Sequence, residues 1–304
     1  MPPHRHSAQR VFTNTSRDVG DVAVAALRYA VAGRIRVLET DVTVFRSPLL
    51  RPPIALCYGA VCHACFALGV GMMVVMMFFG MSRTLGVLEA LWNWIANAGL
   101  LAQFPVMHSF LLTASGRGVL ARLAPPGTGA TLSTTTYATV ASLQIFALFA
   151  LWSPSGEIWW QAEGASLAVM TALYGTAWLL LGKAMTDAGL SLQTGSLGWW
   201  ALLRNRKPVY PKLPERGLFR FSRQPIYVTF TLAVWTVPTW TPDQLVVAVT
   251  LTLYCLIGPL FKEVRFRRIY GSAFDAYARA VPYWLPWPRP GCSVPRDAET
   301  PDAQ

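Results

Sequence analysis

Residues 53–81 contain no Asp, Glu, Lys or Arg and include the run MMVVMMFFGM. A helix of roughly 20 apolar residues is long enough to cross the hydrocarbon core of a bilayer. Backbone polar groups find no water there, so a spanning segment has to be helical or belong to a closed barrel. Five more apolar stretches follow, at about 86–113, 135–152, 166–189, 225–240 and 244–261. The second is interrupted by polar groups and by Pro105, and the fifth is short for a perpendicular span. Thr239-Trp240-Thr241-Pro242-Asp243 separates the fifth from the sixth and predicts a tight helical hairpin. Only 13% of the 304 residues are charged and 53% are hydrophobic, whereas soluble domains average roughly 25% charged. The mean hydropathy is +0.38. These values exclude a disordered chain and argue against a soluble cytosolic enzyme. The predicted fold class is an all-α integral membrane protein of about six transmembrane helices with a C-terminal helical hairpin.

Charge placement gives the orientation. Of the 26 Lys and Arg residues, all but Arg83 fall on one side of the membrane if six spans are threaded from a cytoplasmic N-terminus. Glu157, Glu163 and Asp243 fall on the other side with Arg83. Cytoplasmic loops carry the excess of Lys and Arg in multi-pass proteins. The expectation is therefore a multi-pass protein, of bacterial inner-membrane type, with both termini cytoplasmic. The net charge of +11 is accounted for by these loops, and no nucleic-acid partner is expected. Trp159, Trp160, Trp235 and Trp240 fit an interfacial belt on the outer face.

The five cysteines are odd in number and four lie in apolar stretches, so no disulfide framework is implied. Cys57, Cys62 and Cys65 with His63 lack a second ligand pair, and no metal site is expected. The polar, Arg-rich start does not read as a signal peptide. Four regions are expected: a cytoplasmic tail at 1–52 with an amphipathic helix around 21–37, spans one to four at 53–203, a motif-bearing hairpin with its cap at 204–289, and a disordered tail at 290–304. Glu89, Asn93 and Asn97 recur every fourth residue and mark a polar helix face suited to interhelical packing.

The chemistry-bearing residues concentrate in 214–286. The stretch opens with Gly217-Leu218-Phe219-Arg220-Phe221-Ser222-Arg223-Gln224-Pro225-Ile226-Tyr227 and closes with Lys262-Glu263, Tyr270-Gly271, Phe274, Tyr277 and Val281-Pro282. A hairpin between these halves returns them to the same face, at the cytoplasmic mouth of one helix pair. Arg220 and Arg223 suit a carboxylate, because guanidinium binds it bidentately. Glu263 suits an ammonium or a ribose hydroxyl, and Gln224 can hydrogen-bond either partner. Pro225 at a first helical turn leaves backbone N–H groups aimed at the mouth. Phe219, Phe221, Tyr227 and Tyr270 offer flat faces to a base or a cation. S-adenosylmethionine combines all of these groups.

This stretch resembles the isoprenylcysteine carboxyl methyltransferase superfamily of membrane methyltransferases. The family pattern G-x-[YF]-R-x-x-R-[HN]-P-x-Y is matched by Gly217, Phe219, Arg220, Arg223, Pro225 and Tyr227. Its second half, an acidic pair, a Gly, a Tyr and V-P-x-x-x-P, is matched by Glu263, Tyr270-Gly271, Tyr277 and Pro282. Upstream, His108-Ser109, Trp152-Ser153-Pro154 and the run from Trp235 to Thr241 look like the NnrU and methanethiol S-methyltransferase branch. The resemblance covers about 90–287. It implies S-adenosylmethionine as cofactor, membrane lipid as surroundings and partner, and a small thiol or lipophilic methyl acceptor, with methanethiol-type S-methylation favoured over isoprenylcysteine-type carboxyl methylation. Two positions depart from the pattern: Gln224 replaces the frequent His, and the acidic pair is Lys262-Glu263.

A thiol acceptor has to lose its proton on attack, whereas a carboxylate acceptor needs no base. The residues available for such a role are His108, Glu263 and Asp187. The competing expectation is a non-enzymatic multi-pass protein, a transporter or an assembly factor, that keeps the hairpin. A transporter would show repeats and helices broken at mid-membrane.

Overall fold

The computed structural model describes residues 50–285. The helix expected at 21–37, the tail at 290–304, Pro286 and Trp287 lie outside the described residues. In chain order the elements are α1 (Arg51–Phe78), α2 (Ala90–Leu111), α3 (Ala114–Leu123), α4 (Gly129–Ala150), β1 (Trp160–Gln161), α5 (Gly164–Asp187), α6 (Leu190–Gln193) and α7 (Ser196–Leu203). A 3-10 turn (Gly217–Arg220), α8 (Pro225–Trp235), β2 (Thr239–Trp240), α9 (Pro242–Tyr270) and α10 (Ser272–Ala280) complete the fold.

Small residues set the central helix pair. α1 and α4 run parallel, with Cys62 against the Thr135 carbonyl and Gly69 against Ser142. A Cβ on Gly69 would stand 2.6 Å from the Ser142 carbonyl oxygen, so only glycine allows this approach. Lipid is as apolar as a leucine side chain, so helices in a membrane associate through such close packing and through polar pairs. α2 runs antiparallel to α4. Gln103 and Gln144 bond each other at 2.9 Å, and Asn97 takes both the N–H and the carbonyl of Ser153. Asn97 thus uses the expected polar face of α2 for packing. After Leu111 the chain bends by 95° into α3, where Thr113 accepts from Gly116 N–H as the cap.

Among the described residues four helices, α1, α4, α5 and α9, are long and apolar enough to cross a membrane, and the bent α2–α3 pair, taken as one span, raises the number to five. Their outer faces carry exposed Leu, Val, Ile, Phe and Trp side chains such as Trp92, Ile95, Val169, Leu179, Leu253 and Phe261. The protein is an all-α, multi-pass membrane protein. The fifth expected span is a helix of only 11 residues, α8, about 16 Å long. Thr236–Pro238 then breaks the helix and leads into β2. The sixth extends beyond its expected 244–261 to the 29 residues of α9, because the charged stretch after Phe261 stays helical.

The two ends of the bundle differ. Arg83 is the one Lys or Arg among the described residues at the α8–α9 turn; the others gather at the opposite, basic end. The turn end holds the main apolar core, with Met73, Met77, Phe149, Trp152, Val234 and Val247. Buried Asp243, in the first turn of α9, accepts from Trp152 Nε1 at 2.9 Å, from Ser155 N–H at 2.9 Å and from Ser155 Oγ at 2.6 Å. A carboxylate at a helix N-terminus also meets the positive end of the helix dipole. β1 pairs with β2 across the same end, Trp160 opposite Trp240, and the Trp235 and Trp240 rings lie 5.5 Å apart. The four tryptophans of the expected belt share this end.

Two substitutions test this packing. Gly69→Val should destabilise the α1–α4 contact by about 1–3 kcal/mol through overpacking. Asp243→Ala should cost a similar 1–3 kcal/mol, because it orphans the Trp152 and Ser155 donors. Both should appear as lower thermal midpoints of the detergent-solubilised protein.

Candidate active site

The motif begins with a turn that only glycine permits. Gly217 has φ +60°, and a Cβ there would fall 2.1 Å from Asp187 Oδ2. Asp187, the last residue of α5, uses that oxygen to accept from Leu218 N–H at 2.9 Å and pairs with Lys183 one turn back. The carboxylate that was a candidate base is therefore a tether, fixing the 3-10 turn to the end of α5. Phe219 in the turn is buried, and its carbonyl accepts the Tyr277 hydroxyl at 2.8 Å. The turn is thus held from α5 on one side and from α10 on the other.

The chain then passes Ser222, whose Oγ accepts from Gln224 N–H at 3.1 Å, and enters α8 at Pro225. α8 leads away from the basic end and α9 returns to it. Arg223 and Glu263, forty positions apart, meet with Nε 2.9 Å from Oε1. The Arg223 N–H at Nε is not aligned for a hydrogen bond, so this contact is an ion pair. Gln224 Nε2 donates to the same Glu263 oxygen at 2.9 Å. Arg223 Nη1 donates to the Ala278 carbonyl at 2.6 Å, and its backbone N–H to the Pro282 carbonyl at 3.0 Å. Arg223, Gln224 and Glu263 are brought together, with Arg223 and Glu263 side chains only 13% and 11% exposed.

The structure places the remaining expected residues around this pair with unequal involvement. Tyr227, on the first turns of α8, faces Lys262, whose Nζ stands 5.1 Å from its ring centroid and 5.5 Å from that of Phe266. Tyr277 is buried, and Tyr270 packs on Phe266 with its hydroxyl 3.4 Å from the Pro211 carbonyl. Arg220 and Phe221 are exposed at the lip and bond to none of the buried trio. His108 lies apart, on α2, with its Nε2 2.7 Å from the Tyr137 hydroxyl. A cavity of about 300 Å³ between α1 and α4, lined by Cys57, Val61, Thr136 and Val140 among others, involves none of the motif residues.

Sequence reasoning missed two partners of the trio. Tyr283 sets its ring 5.6 Å from the Arg223 guanidinium and donates its hydroxyl to the Leu256 carbonyl at 2.8 Å. The Ala278 carbonyl is a backbone group and carries no side-chain signal at all. Burial pushes the Tyr283 hydroxyl up to about 12, helped by Glu263 and opposed by Arg223. Burial likewise raises Tyr277, against the lowering effect of Arg223. Both hydroxyls stay protonated donors at neutral pH.

A buried cationic–anionic pair thus joins the start of α8 to the end of α9 in a multi-pass helical protein. Comparison with known proteins gives the class. The chain is 30% identical over 188 residues to the methanethiol S-methyltransferase of Pseudomonas deceptionensis, a match covering 62% of this chain and 70% of the relative. It is 26% identical over 199 residues to methanethiol S-methyltransferase 1 of Bradyrhizobium diazoefficiens, covering 64% and 67% respectively. It is also 26% identical over 203 residues to the methanethiol S-methyltransferase of Mycobacterium tuberculosis, covering 64% and 78%. No family model and no solved structure matches the chain. The chain belongs to the methanethiol S-methyltransferase family, and it is a membrane methyltransferase. Nothing among these relatives favours the non-enzymatic expectation.

Two measurements probe the site itself. Gly217→Ala should destabilise the turn by about 1–3 kcal/mol, from the left-handed backbone and the clash with Asp187, whereas Asp187→Asn should be milder because it keeps an acceptor for Leu218 N–H. A tyrosine whose pKa is higher in the folded state stabilises the fold fully below its unfolded value near pH 10, and loses that contribution as pH rises toward the folded value. The thermal midpoint should therefore fall on raising the pH from 10 toward 12, and this fall should be smaller in Tyr283→Phe.

Proposed function

We propose that the protein transfers a methyl group from S-adenosylmethionine to a small thiol of the methanethiol type, with the cofactor held at the basic end between the Gly217–Tyr227 motif and the end of α9. The observation that carries this reading is the convergence of Arg223, Gln224 and Glu263 in a chain whose relatives are thiol methyltransferases. The residues fit the cofactor in one further respect. Gln224 Oε1 is buried without a hydrogen-bond partner, an acceptor available to an ammonium or a hydroxyl. Such an orphan costs free energy unless it is filled.

The parts divide as follows. Donors on Arg223 beyond those committed to Glu263 and Ala278 receive the carboxylate, and Arg220 at the lip assists. Glu263 and Gln224 receive the ammonium or ribose hydroxyls, with Pro225 setting the first turn of α8 behind them. Phe219, Tyr270 and Tyr277 hold the walls, and Tyr227 offers an aromatic face to positive charge. When bound, S-adenosylmethionine supplies an electrophilic methyl group. The protein aligns the acceptor with it and excludes water, which are the main sources of rate in such a displacement. An apolar, aromatic surround favours a transition state in which positive charge is being lost.

The topology follows the same reading: six membrane-embedded segments, the basic end and both termini cytoplasmic, in an inner membrane of bacterial type. Residues 1–52 form a cytoplasmic tail, 53–203 the first four segments, 204–289 the motif, hairpin and cap, and 290–304 a polar tail. The acceptor is a small thiol rather than an isoprenylcysteine carboxylate, because the relatives carry thiol methyltransferase names.

Titration calorimetry on the purified protein should show cofactor binding that Arg223→Ala and Glu263→Ala abolish, while Arg220→Ala loses about tenfold or less. Full retention of binding in the first two variants would count against the pocket. Glu263→Gln, which removes charge but keeps shape, separates loss of binding from loss of fold. With labelled methyl donor, methanethiol should be methylated and a prenylcysteine acid should not.

A further inference from the structure

One polar centre inside the bundle is left unused by this reading. His108 lies on α2 one turn before its end, where the helix tightens and Leu112 N–H bonds to the Ser109 carbonyl. The His108 carbonyl is thereby released from the usual ladder, and the Tyr137 hydroxyl of α4 reaches it at 3.5 Å. The same hydroxyl oxygen lies 2.7 Å from His108 Nε2. If the phenol proton is directed to the carbonyl, the phenol oxygen accepts from Nε2–H and Nδ1 is a bare lone pair; if it is directed to Nε2, Nδ1 carries the proton. Nδ1 is buried and has no hydrogen-bond partner. Most buried polar side-chain atoms in native proteins have a partner, so an orphaned ring nitrogen calls for an explanation.

The surroundings are those of a small apolar acceptor. The rings of Phe104, Tyr137 and Tyr254 stand 5.0, 5.1 and 6.4 Å from the imidazole. Tyr254 and Phe104 close against each other at 5.9 Å. One turn along α9, Gly258 leaves room beside that cage: the atoms nearest an added Cβ all belong to the Tyr254 ring, at 3.4–3.8 Å. The titratable and charged groups facing His108 are Tyr137 from α4, and Tyr254 and Arg265 from α9. Tyr227, beside the cofactor residues, is within electrostatic reach of both Tyr137 and Tyr254. Tyr227 thereby links the cage to the residues of the proposed cofactor pocket.

We infer that His108 Nδ1 is the general base that takes the proton of the thiol acceptor, and that Tyr137 is the positioning residue that fixes the required tautomer; this rests on the thiol methyltransferase reading above. The S–H bond breaks as its proton passes to Nδ1. The sulfur electron pair forms the new S–CH3 bond, and the bond from that methyl to the sulfonium breaks with its pair remaining on the cofactor sulfur. One positive charge leaves the sulfonium and one appears on the imidazole, which later gives its proton to water.

The test uses the purified full chain with two acceptors. Methanethiol is largely protonated at neutral pH, and a nitro-substituted benzenethiol is ionised. His108→Ala should lower kcat with methanethiol by about 10²–10⁴-fold and with the ionised thiol by less than about tenfold. Tyr137→Phe should show the same selectivity with a smaller loss. Cofactor affinity by calorimetry should stay at the wild-type value in both variants. If the aromatic thiol is not a substrate, the methanethiol deficit of His108→Ala should shrink as the assay pH is raised and the thiol ionises. Equal losses with both thiols, a deficit independent of pH, or no loss at all would overturn the assignment of the base. Because Arg223→Ala and Glu263→Ala report on the cofactor pocket separately, that result would leave the methyltransferase reading standing.

Discussion

The meeting of Arg223 and Glu263 organises the basic end of the molecule. Neither charge could be left alone where it sits, because a desolvated ion without a partner costs several kcal/mol. Each therefore constrains the element that carries it. Arg223 ties the start of α8 to α9 through Glu263, to α10 through Ala278 and to the residues just after it through Pro282. Gln224 adds a neutral bond to the same carboxylate. Three segments distant in sequence are thus held in one register, and the groups that would recognise a charged ligand are ordered before one arrives. Preorganisation of this kind reduces what binding has to spend on arranging side chains.

The opposite end works by a different principle. There a buried carboxylate, Asp243, is neutralised by donors from the segment after α4, and a two-residue strand pair joins the chain before α5 to the α8–α9 turn. With the Met and Trp core packed beneath it, this end is fixed and apolar. The basic end, by contrast, carries the Arg223–Glu263 ion pair, with Gln224 bonded to the same carboxylate.

Much of this was legible in the sequence. The spacing of apolar stretches gave the helices and their alternating direction, and the positions of Arg and Lys separated the two ends. The motif residues Arg223, Gln224 and Glu263 were named before they could be seen to touch. Less visible were features that depend on three-dimensional closure. α8 reads as part of a span because residues 225–240 are apolar, yet Thr236 and Pro238 end the helix early. Asp187 reads as a spare acid, but the turn at Gly217 falls on it. Arg220 matches the motif as well as Arg223 does and is nonetheless exposed. The partnership of His108 with Tyr137 depends on helices α2 and α4 crossing at one height, which no local pattern encodes.

The brevity of α8 has a consequence for the surrounding lipid. At about 16 Å, its 11 residues reach little more than half the depth of an ordinary hydrocarbon layer. Leu232 and Trp235 are nonetheless exposed on that flank. Where lipid flanks a helix this short, a bilayer thins or its headgroups sink, at a fraction of a kcal/mol per Å of mismatch. A dimple of this kind shortens the path by which an uncharged, volatile molecule dissolved among acyl chains could travel sideways to the mouth of the hairpin. Bilayer thickness thereby becomes a variable of the enzyme's working environment alongside substrate concentration.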